Sequence, residues 1–118
     1  MLLRLVRPLR RVEVHGDSMR PTYRPGDRLL VVRRVPGRPV RTGAVVAVRD
    51  PRVPGRILVK RVEAWTDHGV WVRGDNEAQS TDSRHFGAIP PDRVIGTVVR
   101  RYGVAVPSDE WGRTPPSA

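Results

Sequence analysis

Short runs of Val, Ile, Leu and Arg, each ended by turn-forming residues, most strongly limit the fold of this chain. The runs are rich in β-branched residues, and no segment carries a sustained helical period with capping residues. Gly-Asp, Pro-Gly and Thr-Gly pairs separate the runs, as expected for tight turns. The sequence therefore predicts six strands, at residues 11–15, 28–35, 44–49, 56–65, 70–73 and 93–101.

This strand pattern predicts an all-β or mostly β domain, built as a coiled, partly closed antiparallel sheet. Residues 65–71 read as a hairpin tip with a Trp on each arm. The chain has 118 residues, which suits one domain. We expect a single domain over residues 1–106, in which residues 1–11 form a basic leader segment. Residues 107–118 have the Pro- and Ser-rich composition of a disordered tail.

Charge and composition exclude several kinds of site. The chain has 22 basic and 12 acidic residues, a formal charge of +10, which favours contact with polyanions or acidic membrane surfaces. The absence of cysteine excludes disulfides, thiolate metal sites and cysteine nucleophiles. The three His residues are scattered without the spacing of a zinc site, so neither a metal nor another cofactor is expected.

The same composition bears on membranes and nucleic acids. No run approaches the roughly 20 apolar residues that cross a bilayer, so we expect no membrane span. Contact of residues 1–11 with a membrane surface stays open beside a plain basic strand or frayed terminus. Aromatic residues make up 5% of the chain, few for base stacking, so no nucleic-acid partner is expected. A basic β domain that binds nucleic acid without catalysis remains an alternative.

Lys60 is the single Lys among 22 basic residues. An Arg side chain stays protonated, whereas a Lys amine can become neutral and act as a base. In a strand, Leu58, Lys60 and Val62 share one face. If that face is buried, loss of hydration lowers the pKa of the amine; if Ile57 and Val59 point inward instead, Lys60 is a solvated charge. The alternation of residues leaves both arrangements open.

Three polar segments form one ordered pattern when they are considered together. The first is Gly-Asp-Ser-Met-Arg-Pro-Thr at 16–22, with Gly-Asp at 26–27. The second is Val-Lys-Arg-Val at 59–62, and the third is Gly-Asp-Asn at 74–76 with Ser-Thr-Asp-Ser-Arg at 80–84. In this order, from about residue 14 to residue 98, they resemble the type I signal peptidase family of Ser/Lys-dyad endopeptidases.

The resemblance implies a role for five side chains. Ser18 corresponds to the nucleophile and Lys60 to the general base. Ser80 corresponds to the hydroxyl that holds and orients the Lys amine, while Asp82 and Arg84 correspond to a pair that fixes the loop beside the site. These roles suit the chemistry, because a Ser hydroxyl becomes nucleophilic when an adjacent base accepts its proton.

The resemblance also implies how substrate is held. An extended precursor would add as a strand along the edge that contains Val14, His15, Gly16 and Asp17. The backbone amide of Ser18 is an expected donor to the oxyanion. Many family members carry a Ser at the position of Gly16 as the second donor, so the chain departs from the family pattern there.

Within the family, the chain is most similar to the maturation proteases of nickel-type superoxide dismutase, which it resembles in size and Arg content. That subgroup implies a serine endopeptidase that removes a leader from the dismutase precursor, without a membrane anchor. The expected location is the cytoplasm, with a peripheral membrane contact as the alternative. Two other readings stay open, a general signal-peptidase-like protease and a self-cleaving Ser/Lys regulator.

Overall fold

A computed structural model of the protein describes residues 9–104. Most of the predicted leader segment, residues 1–8, and all of the predicted tail, residues 107–118, lie outside the described residues. Residues 9–11 belong to the first strand of the sheet. No helix within the described residues is long and apolar enough to span a membrane.

The predicted strands are confirmed, and their ends shift by only a few residues. The six strands are β1 (Leu9–Glu13), β2 (Arg28–Arg33), β3 (Val45–Arg49), β4 (Ile57–Thr66), β5 (Gly69–Arg73) and β6 (Val94–Gly103). β4 and β5 form the predicted hairpin, in which Thr66 lies opposite Gly69. Strands dominate because the runs are rich in Val and the turns between them contain Gly at positive φ.

The six strands form one antiparallel sheet in the order β1-β2-β6-β3-β4-β5. Register shifts interrupt the β2–β6, β3–β6 and β4–β5 ladders. Such irregularities bend a strand and increase its twist, so the sheet curls into a half-barrel. This confirms the expected coiled, partly closed antiparallel sheet. β1 forms one edge of the sheet and is paired on one side, to β2.

Two apolar clusters pack against the curled sheet. One contains Val12, Met19, Leu29, Val31 and Val59 among others, and the second contains Val46, Val48, Val62, Val70 and Ile89 among others. Both faces of β4 are therefore covered. This decides the question that residue alternation left open: Lys60 is only 3% exposed and lies opposite Val46 of the second cluster.

The loop after β5 contains a four-residue helix, α1 (Ser83–Phe86), which the sequence pattern did not predict. Asp82 caps this helix by accepting from the backbone amide of Arg84, and the His85 ring accepts from the Asp82 amide. The buried Ser83 hydroxyl accepts from the backbone amide of Val72 in β5 at 2.8 Å. These bonds hold the polar loop against the sheet beside Lys60.

Candidate active site

Ser18 and Lys60 line the same cavity, which has a volume of about 800 Å³. One wall is β1 with the segment that follows it, and the opposite wall is the β3–β4 loop with the start of β4. Gln79 and Thr81 close the end nearest the third polar segment. The curl of the sheet brings β1 and β4 to either side of this groove although three strands separate them in the sheet.

A chain of hydrogen bonds starts at the Lys60 amine. Its Nζ donates to the Ser80 Oγ at 3.0 Å, and that hydroxyl donates to the Asp82 Oδ2 at 2.7 Å. Lys60, Ser80 and Asp82 are all buried. The resemblance implied that Ser80 holds the Lys60 amine and that Asp82 pairs with Arg84; the bond from Ser80 to Asp82 joins these two contacts into one network.

Asp82 is the most heavily bonded carboxylate next to the cavity. Arg84 donates from Nε to Oδ1 at 2.9 Å and from Nη2 to Oδ2 at 3.1 Å, and the backbone amide of Gly74 donates to Oδ2 at 2.9 Å. Burial raises the pKa of this carboxyl, but the bonds from Arg84, Gly74 and Ser80 outweigh burial and hold the pKa of Asp82 well below its usual range. Asp82 is therefore an ionised acceptor at neutral pH.

Burial is the main cause of a lowered pKa at Lys60. The positive charges of Arg52 and Arg84 also lower the pKa of this amine, while Asp82 and Asp50 raise it. Desolvation prevails because the side chain lies between apolar strand residues and its ammonium form loses most of its hydration. A lowered amine pKa increases the neutral fraction that can accept a proton.

The segment that contains Ser18 is fixed from two sides. Met19, the next residue, is 1% exposed and packs in the first apolar cluster. The backbone amide of Asn76 donates to the Ser18 carbonyl at 2.8 Å, and the Asn76 side chain donates to the Asp17 carbonyl at 3.1 Å. Ser18 is half-buried between these anchors.

The Gly-Asp-Asn segment contains positioning residues that sequence reasoning left unassigned. A Cβ at Gly74 would lie 2.2 Å from the Ser80 Oγ and 2.6 Å from the Ser18 carbonyl oxygen, so only glycine fits there. Asp75 accepts two bonds from Arg61, at 2.8 and 2.7 Å, and one from Thr22. The Gly-Asp-Asn motif was the sequence signal that pointed to Asp75. The motif could not identify Arg61 and Thr22 as its partners, because both are distant from Asp75 in the sequence.

The four predicted substrate-binding residues do not all line the cavity. His15, Gly16 and Asp17 line the cavity. Val14 does not: its side chain is buried in the first cluster, and its amide and carbonyl bond to Asp27 and Gly26. Backbone groups alternate in direction along a strand, so those of Glu13 and His15 point away from β2, toward the edge of β1 that has no partner strand among residues 9–104.

Gly16 adopts φ +79°, and a Cβ built on it meets nothing within 4 Å. A side chain at this position would therefore be limited by backbone strain and not by space. Within residues 9–104 there is no group of three or more His, Cys, Asp or Glu side chains that could hold a metal ion. Among the described residues, the acid–base groups that line this cavity are Lys60 on the β4 wall and Glu13, His15, Asp17 and Ser18 on the β1 wall.

Comparison with known proteins gives a consistent set of relatives. Residues 7–99 match the family described as peptidase S24-like. The chain is 33% identical to mitochondrial ATP-independent inner membrane protease subunit 1a of Arabidopsis thaliana, over 75% of this chain and 67% of the relative. It is 31% identical to subunit 1b of the same organism, over 74% of this chain and 66% of the relative.

A fungal protein is also similar. Mitochondrial inner membrane protease subunit 2 of Schizosaccharomyces pombe is 28% identical over 73% of this chain and 60% of the relative. The chain thus spans about two thirds of the length of the curated relatives it matches.

Proposed function

The chain belongs to the peptidase S24-like family and is a serine peptidase of the signal peptidase type, and from this premise we propose that it removes an N-terminal leader from a precursor polypeptide. Ser18 is the nucleophile and Lys60 the general base. The observation that carries the proposal is the buried Lys60 amine, bonded to Ser80 and lining one cavity with Ser18. A precursor is the proposed substrate because the three ordered motifs resemble those of the type I signal peptidases, and the relatives are themselves named as proteases.

In the first half of the reaction, the neutral Lys60 amine accepts the Ser18 hydroxyl proton while the Ser18 oxygen bonds to the scissile carbonyl carbon. The resulting oxyanion accepts from the Ser18 backbone amide. As the peptide C–N bond breaks, the Lys60 ammonium returns that proton to the leaving amine. The products are a free amino terminus and an acyl ester on Ser18.

In the second half, Lys60 accepts a proton from water, and the hydroxide oxygen attacks the ester carbonyl. The C–O bond to Ser18 breaks, and Ser18 regains a proton from Lys60. The leader leaves with a free carboxyl group. One amine thus serves both half-reactions, and Ser80 and Asp82 hold it in one orientation throughout.

Substrate is held as an extended strand in the groove. The edge of β1 that faces away from β2 offers backbone groups at alternate residues, including Glu13 and His15. His15, Gly16 and Asp17 line the groove beside Ser18 and are the proposed substrate contacts. Antiparallel or parallel addition along this edge places the scissile bond at the end of β1, next to Ser18.

As the narrower part of this proposal, the substrate is the precursor of a nickel-type superoxide dismutase. Support comes from the compact form of the domain. Residues 61–73, between Lys60 and Gly74, continue β4 into a single hairpin with β5, as in the small subgroup that the sequence resembles. The proposed location is the cytoplasm, with a peripheral membrane contact through residues 1–11 as the alternative.

The test is direct cleavage. Purified protein is incubated with the dismutase precursor and with an unrelated secretory precursor, and the new amino termini are identified by mass spectrometry. Cleavage by the wild type at one site and none by Ser18→Ala is the expected result. Cleavage of the second precursor alone removes the dismutase assignment but keeps the protease. Cleavage only within the chain itself, in the protein incubated alone, favours the self-cleaving regulator.

A further inference from the structure

The wall of the groove opposite β1 carries two arginines that the proposed chemistry does not use. Arg52 and Arg56 come from the β3–β4 loop, residues 50–56, and both line the cavity that contains Ser18 and Lys60. No acidic residue of this loop lines the cavity. The two residues are called the arginine wall below.

Arg52 is held in place by the loop itself. Asp50 is 2% exposed and accepts from the Arg52 backbone amide at 2.8 Å, from Nε at 3.1 Å and from Nη2 at 3.1 Å. The Arg52 guanidinium also lies 5.0 Å from the centre of the Phe86 ring. Arg52 thus bonds to both Asp50 oxygens, and these bonds fix the shape of the loop.

Arg56 is left with unused donors. Its Nη1 makes a long ion pair with the Asp50 Oδ2, at 3.7 Å, which is beyond hydrogen-bond distance, and its side chain is 55% exposed. Among residues 9–104 its guanidinium makes no hydrogen bond. A guanidinium has five N–H donors in a planar fork that fits a carboxylate. The most suitable partner for Arg56 in the groove is therefore a carboxylate that arrives with the substrate.

We propose that the arginine wall selects precursors with an Asp or Glu about four residues from the scissile bond, where the carboxylate bonds to Arg56. This inference rests on the proposed function. Arg56 and Lys60 are four residues apart on the same run, or roughly 13 Å at a strand rise of about 3.3 Å per residue. A substrate strand in the groove advances at the same rate, so its fourth residue from the cut reaches Arg56.

The β1 wall of the groove limits this selection to one part of the substrate. The β1 side of the cavity contributes two carboxylates, Glu13 and Asp17, and one guanidinium, Arg11, and Asp17 is already paired with Arg20. An acidic substrate residue that faces these carboxylates is repelled. The preference therefore belongs to a position in the substrate, and the overall charge of +10 does not produce it.

The binding test uses the Ser18→Ala protein and ten-residue Ala-Val peptides carrying an uncharged dye. One Asp is moved through the ten positions, so every peptide has the same net charge, and each affinity is compared with that of the Asn peptide at about 0.15 M salt. We expect tighter binding by roughly fivefold at one position, as for a partly exposed charge-assisted hydrogen bond.

Three variants in the Ser18→Ala background complete the test. Arg56→Gln should remove the positional preference, and Arg56→Glu should transfer it to a Lys at that position. Arg100→Gln, an equal loss of charge at an exposed residue of β6, should preserve the preference. A wild-type profile with no preferred position, or one that Arg56→Gln leaves unchanged, overturns the inference.

Cleavage separates this inference from the function on which it rests. The wild-type protein is given the same peptide series around a site cut in a precursor. Cleavage of the series without a preference for Asp refutes the acidic selection alone. A positional preference in binding with no cleavage of any precursor by the wild type refutes the protease proposal and leaves the acidic site in place.

Discussion

The Lys60 amine donates to the Ser80 hydroxyl at 3.0 Å, and Ser80 can only accept from it. The Ser80 proton is committed to Asp82, which lies 2.7 Å away and, being ionised, can only accept. A neutral Lys60 must therefore use an N–H toward Ser80, so its lone pair points elsewhere. The direction of this bond chain leaves the electron pair of a neutral Lys60 free to accept a proton, which in the proposed reaction comes from Ser18.

Removing the amine should end catalysis while preserving the fold. Lys60→Met keeps the length and apolar stem of the side chain, so the strand should still pack. We expect kcat/KM to fall by at least about a thousandfold, as for loss of a general base. Circular dichroism and thermal unfolding check the fold. Lys60→Arg should be equally inactive, because a guanidinium stays protonated. More than a few per cent activity in either folded variant would exclude Lys60 as the base.

The pH dependence of activity should report the lowered pKa of Lys60. The base must be neutral, so kcat/KM should rise with pH until Lys60 has lost its proton, below its ordinary pKa of 10.5. Arg52→Gln removes a charge that lowers this pKa and frees Asp50, which raises it, so the rise should move to higher pH. The measurement is the pH profile of kcat/KM for both proteins. A profile that shifts equally in Arg100→Gln would assign the effect to overall charge.

Stability should depend on pH through the same amine. The folded-state pKa of Lys60 is below the unfolded value, so between the two the unfolded chain binds more protons and stability rises with pH. The Lys60→Met variant has no amine at this position, so its stability lacks this pH dependence. Its advantage in melting temperature over the wild type should therefore be largest below the folded pKa and should shrink as pH approaches 10.5. A constant difference between pH 6 and pH 10 would contradict a lowered pKa.

Asp82→Asn should damage both stability and activity. An amide cannot accept all the bonds that Arg84, Gly74 and Ser80 donate to the carboxylate, and a buried donor is left unpaired. We expect a loss of about 2–4 kcal/mol in unfolding free energy and a fall in kcat, since Ser80 loses its fixed orientation. Denaturant unfolding at neutral pH measures the stability change.

At acid pH, the stability of the wild type should change in a way that the stability of Asp82→Asn does not. The folded-state pKa of Asp82 lies below the unfolded value of 3.8, so its contribution is complete above 3.8 and is lost as pH falls toward the folded value. The stability difference between the two proteins should therefore narrow at acid pH. A difference that stays constant down to pH 2 would show that Asp82 is not the source.

Gly74→Ala should inactivate the site through steric displacement. The new methyl group would lie within 3 Å of both Ser80 and the Ser18 carbonyl, and one or both must move. Gly37→Ala is the matched control, because its Cβ meets nothing within 4 Å and its cost is backbone strain at φ +85°. In both variants the free energy of unfolding should fall by about 1 kcal/mol or more, but only Gly74→Ala should lose most of its kcat. Similar activity in the two would show that the close approach at Gly74 is not needed.

The sequence was sufficient to predict where the strands lie, because the residue patterns that mark a strand are local. β-branched runs ended by Gly and Pro pairs fix where strands begin and end, and all six appear at the predicted places. The helix at Ser83–Phe86 was missed because it is one turn long and is held by the bonds of Asp82, His85 and Ser83 to their neighbours. Such a turn has no period to detect.

The residues of the candidate site came from three ordered motifs, whereas their arrangement came from the fold. The sequence by itself determined which residue types are present, including a single Lys and a Ser in a Gly-containing bend. Only the tertiary structure decided that Lys60 is buried, because alternation along β4 is ambiguous when apolar clusters cover both faces. It also decided that Gly74 and Asn76 support Ser18, and that Val14 is buried in the core, because these contacts join segments that the curled sheet brings together.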